Sequence, residues 1–280
     1  MRWQGSRRSE NVEDYRGSRF GGAGLKLGVG GTLVALVAGY FLGIDPRLIL
    51  GLTESLPTGP APTAQTGVPQ DEAGQFISAV LGETEDTWSA IFQQNGREYV
   101  PPKLVLYTDQ VRSACGSASS AVGPFYCPGD QRVYLDLNFY NELKTRFQAP
   151  GDFAQAYVLA HEVGHHVQTL LGTEEQVRAA QSRASESERN ALQVRMELQA
   201  DCYAGVWAKN ADTARQILEQ GDVEEALAAA SAVGDDTIQR RTQGHVVPDS
   251  FTHGSAQQRM SWFKRGLDSG SVPACDTFGR

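Results

Sequence analysis

A chain of 280 residues with 40% hydrophobic residues is long enough for one sizeable domain with appendages and too apolar to be disordered. Its 25 Lys and Arg against 33 Asp and Glu give a formal charge of -8, and the imbalance is uneven: residues 1–26 hold six bases and three acids, so the remainder is markedly acidic. An acidic body without a basic footprint excludes nucleic acid as an expected partner, and no repeat of solenoid period is present.

After the basic start, residues 27–44 (LGVGGTLVALVAGYFLGI) run 18 positions without a charge. As a helix this is about 27 Å, just enough to cross a bilayer core. Only Arg47 follows before Arg97, so the positive-inside rule predicts residues 1–26 as a cytoplasmic segment, 27–44 as a transmembrane helix, and everything later as extracytoplasmic, in the periplasm or at the cell exterior. A cleaved signal peptide is the rival, with APTA at 61–64 as a small-residue site; the leading segment is long for a signal n-region, which favours an uncleaved anchor. A buried core helix is disfavoured by the glycines. Residues 45–70 carry Pro57, Pro60, Pro62 and Pro69 among Thr, Ala and Gly and read as an extended linker. The globular domain is expected over 71–280.

Four cysteines, Cys115, Cys127, Cys202 and Cys275, lie on the predicted outer side, none in a CxxC arrangement. An even count in an oxidising compartment favours two disulfides. Cys115 with Cys127 closes the shortest loop, leaving Cys202 with Cys275. The alternative is Cys127 as a metal ligand. KLVLYT (103–108) reads as a short strand. QRVYLDLNF (131–139) alternates, with Val133, Leu135, Leu137 and Phe139 on one face and Arg132, Tyr134, Asp136 and Asn138 on the other.

A helix is predicted from Asp152, read as an N-cap with Gln155 as capping-box partner, to a stop at Gly172. Its apolar stripe is Ala160, Val163, Gly164, Val167, Leu170 and Leu171. Within it stands His161-Glu162-Val163-Gly164-His165, the HExxH pattern. Residues four apart share a helix face, so His161 and His165 can ligate one zinc while His166, about 100° further round, cannot join them. The carboxylate of Glu162 would handle the proton of the attacking water. The metzincin completion is absent, because Gln168 and Leu171 stand where a glycine and a third histidine are required.

Thr173 with Gln176 and Ser185 with Glu188 read as capping boxes for a helix or helix pair reaching about Lys209. MELQADCYAG lies there. Glu197 and Asp201 share a face flanked by Met196, Leu198, Ala200 and Tyr203, which disfavours a solvated acidic face. Glu197 completes a His, His, Glu site for one Zn2+ per chain with a fourth position left for water, and Asp201 would accept the distal N–H of a ligand imidazole. Ala200, Ala204 and Gly205 let this helix approach another closely. GDVEEALAAASAVG reads as an ordinary helix. Ser255 reads as the N-cap of a helix carrying Arg259, Trp262 and Phe263.

HEVGHHVQ, MELQADCYAG and PDSFTHGSAQQRMSWFKRG together resemble the neutral zinc metallopeptidase family of bacterial single-pass membrane proteins. More distantly, Glu197-x-x-x-Asp201 and the step from His253 to Arg259 are similar to the gluzincin group of the CaaX prenyl protease and heat-shock membrane protease. Those relatives bury the site among several membrane helices, whereas one anchor here implies a soluble domain. The resemblance implies that His253 donates a hydrogen bond to the oxyanion, that Arg259 orients Asp201 or another carboxylate, and that an edge strand, with 131–139 as the candidate, pairs with extended substrate. The expected fold is therefore α+β and mainly helical: a zincin-like domain with a small sheet beside the HExxH helix, preceded by one transmembrane helix. The expected activity is that of a zinc metalloendopeptidase acting on a peptide or protein substrate. A zinc-containing envelope scaffold without proteolysis and a zinc hydrolase of non-peptide amides are the alternatives.

Overall fold

A computed structural model describes residues 1–17 and 63–279. The expected transmembrane run 27–44 and residues 45–62 of the expected linker lie outside the described residues. Among the described residues, no helix is long and apolar enough to cross a membrane.

The domain is mainly helical α+β. Seven strands among the described residues are β1 (Val12–Asp14), β2 (Gln65–Thr66), β3 (Lys103–Tyr107), β4 (Gln110–Ser113), β5 (Gly116–Ser119), β6 (Phe125–Cys127) and β7 (Arg132–Asp136). Five form one sheet in the order β2-β1-β3-β7-β6, with β1, β3 and β7 mutually parallel; β4 and β5 make a separate hairpin. Eight α-helices among the described residues are α1 (Glu72–Gln94), α2 (Asn138–Thr145), α3 (Asp152–Leu171), α4 (Thr173–Gln181), α5 (Glu186–Arg215), α6 (Asp222–Ala232), α7 (Asp235–Gln243) and α8 (Ala256–Ser269).

The expected strand over 131–139 ends early. Val133, Tyr134, Leu135 and Asp136 are all buried, so β7 is covered on both faces as a parallel central strand must be, and its alternation did not mark an exposed side. The Asp136 carboxylate accepts the backbone N–H of Asp109 (3.0 Å) and of Asn138 (2.9 Å), turning the chain directly into α2. Because β7 lies between β3 and β6, the edge strand on this side of the sheet is β6, with β2 at the opposite edge.

The expected boundaries at residues 26 and 70 do not follow the packing. Met1–Asp14 and Gln65–Arg280 form one compact unit. β1 enters the sheet between β2 and β3, and Gln65–Thr66, expected as linker, pair with it. The α-amino group of Met1 lies 2.7 Å from Asp152 at the start of α3. Asp152 therefore binds this ammonium instead of capping the helix; Gly151 occupies the N-cap, and the Phe153 N–H is taken by Glu225 at 3.0 Å. Nor does Thr173 cap α4, whose N-cap is Gly172 at φ 80°.

Where caps were read at Ser185 and Ser255, both boxes are present, with Glu188 and Gln258 as partners. Gly172 ends α3 in the left-handed conformation. Small residues set the helix spacing: a Cβ at Gly164 would stand 3.0 Å from the Ala200 carbonyl of α5, and one at Gly266 of α8 would stand 1.9 Å from the Cys202 carbonyl. The close crossing of α5 and α8 is therefore built on Gly205 and Gly266.

Both expected disulfides are present, Cys115–Cys127 and Cys202–Cys275, with Cα separations of 5.8 and 5.5 Å. No cysteine is free, so the reading of Cys127 as a metal ligand is withdrawn. Thiol titration of the unreduced, denatured protein should find no sulfhydryl. The Cys202–Cys275 bridge spans 73 residues; replacing both cysteines by Ser should lower stability by about 2–4 kcal/mol in urea titration.

Candidate metal centre

The periodicity of α3 delivers His161 and His165 to one face, with their ring centroids 4.8 Å apart. α5 crosses that face through the small Gly164–Ala200 contact and brings Glu197 to it. The Glu197 Oε2 atom lies 3.1 Å from His161 Nε2 and 3.5 Å from His165 Nε2. One ligand atom from each of the three residues fits within a 4.8 Å span. His166 points elsewhere, its Nε2 donating to the Val100 carbonyl at 2.6 Å and its Nδ1 meeting the Tyr126 hydroxyl at 3.1 Å.

Each ligand is held from behind. Asp201, fully buried, takes His161 Nδ1 at 2.8 Å. The same Asp201 is gripped by Arg259 through Nε (2.8 Å) and Nη2 (2.9 Å) and accepts the Tyr157 hydroxyl at 2.5 Å. Gln168 accepts His165 Nδ1 at 2.9 Å and is itself fixed by donating to the Met196 carbonyl and Gln199. Gln193 donates to the second oxygen of Glu197 at 2.9 Å. With both Nδ1 atoms facing acceptors, the neutral form of each ring would present an Nε2 lone pair to a cation beside Glu197.

The electrostatics favour a cation at this point. Burial opposes protonation of His161, but the Asp201 charge and hydrogen bond and the contact with Glu197 outweigh it and raise its pKa. His165 is raised for the same reason, through Glu197. Burial alone would raise the Glu197 carboxyl, yet the two imidazoles hold it well below the ordinary range. Burial likewise opposes ionisation of Asp201, but Arg259 and His161 bring it down to about 2. Two imidazole nitrogens and one carboxylate oxygen, with their outer hydrogen bonds satisfied, are the donor set that zinc takes in catalytic sites.

These atoms open into a cleft of about 530 Å³ lined by His161, Glu162, His165, Glu197 and His253, with Phe125, Tyr126, Phe139, Phe147 and Ile238 as its apolar walls. His253, distant in sequence, reaches the cleft on a loop that Asp235 organises. The Asp235 Oδ2 atom accepts three consecutive backbone N–H groups, Thr252 (2.7 Å), His253 (2.6 Å) and Gly254 (3.0 Å). Its other oxygen lies 3.4 Å from His253 Nδ1. Gly254, at φ 90°, brings the loop against Val194 and Leu198 of α5, where a Cβ would stand 3.3 Å from each.

The structure thus gathers His161, Glu162, His165, Glu197 and His253 around one cleft, with Asp201 and Arg259 behind the first imidazole. Tyr157, Gln168, Gln193 and Asp235 were not found by reading the sequence for function. Three of them had a signal, since Tyr157, Gln168 and Gln193 stand three or four positions from His161, His165 and Glu197 on the same helices. Asp235 had none; its partners lie 17 to 19 positions away across a loop.

Comparison with known proteins accords with this geometry. The family model described as "Putative neutral zinc metallopeptidase" matches residues 1–278. "Uncharacterized protein YpfJ" of Escherichia coli strain K12 is 52% identical over 290 residues, covering 100% of this chain and 99% of its own. "Uncharacterized protein Rv2575" of Mycobacterium tuberculosis strain H37Rv is 44% identical over 217 residues, covering 74% of this chain and 72% of its own. No solved structure matches.

The donor set predicts one zinc per chain. Metal analysis of Glu197→Ala should show most of the zinc lost, whereas Asp201→Asn, which keeps all three ligands, should weaken binding by about 10- to 100-fold. Full occupancy in Glu197→Ala would move the third ligand elsewhere.

Proposed function

The chain belongs to the neutral zinc metallopeptidase family, and on that premise we propose that its cleft hydrolyses peptide bonds of an extended polypeptide. The observation that carries this reading is the convergence of His161, His165 and Glu197 within a 4.8 Å span at the wall of an open cleft that Glu162 also lines. A site kept only for structure would close its fourth position with a protein ligand and would need no carboxylate beside it.

Zinc bound by His161, His165 and Glu197 would act as the Lewis acid, polarising the scissile carbonyl and activating a water molecule. Glu162 follows His161 on α3, takes the proton from that water and passes it to the leaving amine. Arg259 and Asp201 hold the His161 ring in one orientation and one tautomer. His253 donates a hydrogen bond to the oxyanion, an interaction that strengthens only as charge develops on that oxygen.

Substrate main chain would pair with β6. The resemblance-based expectation placed this role on residues 131–139, but β7 has both sides occupied. The edge strand β6 lies at the cleft, with Phe125 and Tyr126 among its lining residues. Pairing of this kind reads backbone, leaving side-chain selection to the walls formed by Phe125, Phe139, Phe147 and Ile238. Two disulfides support action outside the cytoplasm, where such bridges persist.

Two outcomes are expected. Mass spectrometry of a casein digest should show cleavage by the wild-type protein and none by Glu162→Gln, with zinc content equal in both. His253→Ala should keep zinc while kcat falls by about 10²- to 10³-fold; loss of zinc would make His253 a ligand, and no change in either would make it a surface residue.

The Asp235 hydrogen bond is the largest influence raising the His253 pKa, with burial opposing it. A raised pKa keeps the imidazole protonated to higher pH. The high-pH limb of the kcat profile should therefore move to lower pH in Asp235→Asn, and an unmoved limb would remove Asp235 from this role.

A further inference from the structure

The way residues 1–14 join the domain constrains how the chain can meet a membrane. β1 is an interior strand whose residue Asp14 is the register partner of Gln65 in β2, while Val12, Glu13 and Asp14 pair with Leu104, Val105 and Leu106 of β3. The chain therefore leaves the sheet after residue 14 and re-enters it at residue 65 at the same place. Paired positions of an antiparallel ladder are about 5 Å apart, whereas a bilayer core is about 30 Å thick.

This docking is built into the domain. Glu85 of α1 is 5% exposed, and its carboxylate accepts Ser9 Oγ at 2.6 Å, Asn11 Nδ2 at 2.8 Å and Arg7 Nη2 at 2.7 Å. Ser78 Oγ donates to the Ser9 carbonyl at 2.7 Å, and the Ser9 N–H returns a bond to the Ser78 carbonyl at 3.0 Å. Gly82 makes room for the passing backbone: a Cβ there would stand 2.5 Å from the Arg7 carbonyl oxygen. Trp3 packs edge-on against Phe76 with centroids 5.4 Å apart.

Three of the six bases that suggested a cytoplasmic N-terminus, Arg2, Arg7 and Arg8, are engaged in contacts of this kind. Arg7 also binds Asp86 at 2.8 Å, Arg2 donates to the Gln216 carbonyl at 3.0 Å, and Arg8 donates to the Trp3 carbonyl at 3.1 Å. A charge already satisfied by its own domain is a weaker retention signal than a free one. Two crossings between residues 15 and 64 would need about 40 apolar residues, and the sequence supplies one charge-free apolar run of spanning length, 27–44, the other uncharged stretch from residue 55 being rich in Pro, Thr and Gly.

We infer that residues 1–14 and residues 65–280 lie on the same side of any membrane the chain associates with, so that in the folded protein the segment between them does not act as a single-pass anchor. Removal of the leading segment at a signal-peptide site near residue 64 is disfavoured for the same reason, since it would detach β1 and leave β3 unpaired on that side. This inference does not rest on the peptidase reading, and its test needs no activity.

The test uses the full-length chain expressed in intact bacterial spheroplasts, with single cysteines introduced at exposed positions in each part. Because all four native cysteines are bridged, an introduced thiol is the only one open to a membrane-impermeant maleimide. Glu10→Cys and Lys144→Cys form the first pair, and Gln4→Cys and Gln93→Cys the second, in case one variant folds poorly. Within a pair, the two positions should behave alike, both labelled in intact spheroplasts or both only after permeabilisation. Labelling of one position with protection of the other, in either pair, overturns the inference and restores the single-pass arrangement.

Discussion

The buried connection from Arg259 through Asp201 to His161 is the interaction on which the rest of the centre depends. Arg259 is 4% exposed and Asp201 not at all, so neither charge has water to compensate it. Such a pair contributes little net stability when intact, yet removing one partner typically costs about 3–5 kcal/mol because the other is left buried and unpaired. The fold must therefore hold α3, α5 and α8 in one fixed arrangement. It does so by close helix contacts at Gly164, Gly205 and Gly266, and by the Cys202–Cys275 bridge, which fastens the residue after Asp201 to the segment following α8. What this rigidity secures is one ring orientation and one tautomer at His161.

The same division of labour recurs around the cleft. His165 is set by Gln168, Glu197 by Gln193, and the His253 loop by Asp235, each through hydrogen bonds to the side chain or along the backbone. Glu197 and Asp201 are both anionic, and only Asp201 has an arginine to balance it. The excess negative charge is left at the point where the two Nε2 atoms face Glu197, which is why that point favours a cation. The cleft beside it stays open because its walls come from β6, α2, α7 and the preceding turns, while the helices that carry the ligands pack their other faces into the core.

Residues 1–14 show how far a chain segment's role can depart from its composition. Three arginines near the start look like a flank that retains the N-terminus in the cytoplasm, but in the fold they bind Asp86, Glu85 and backbone carbonyls. A neighbouring strand joins the middle of the sheet. Charge counting treats such groups as free, and the tertiary contacts remove that freedom.

Sequence alone determined what is local or periodic. The 3.6-residue repeat placed His161 with His165 and Glu197 with Asp201, the caps at Ser185 and Ser255 fixed two helix starts, and loop length together with an even count paired the cysteines. Resemblance added His253 and Arg259. Only the tertiary structure decided which partners those groups meet: that Arg259 grips Asp201 itself, that Asp235 organises the His253 loop, that β6 and not β7 is the edge strand beside the cleft, and that Asp152 binds the Met1 ammonium instead of capping α3. The reason is physical. Periodicity records which face a residue occupies on its own element, whereas the identity of the opposing group depends on contacts between segments far apart in the chain, which no local spacing encodes.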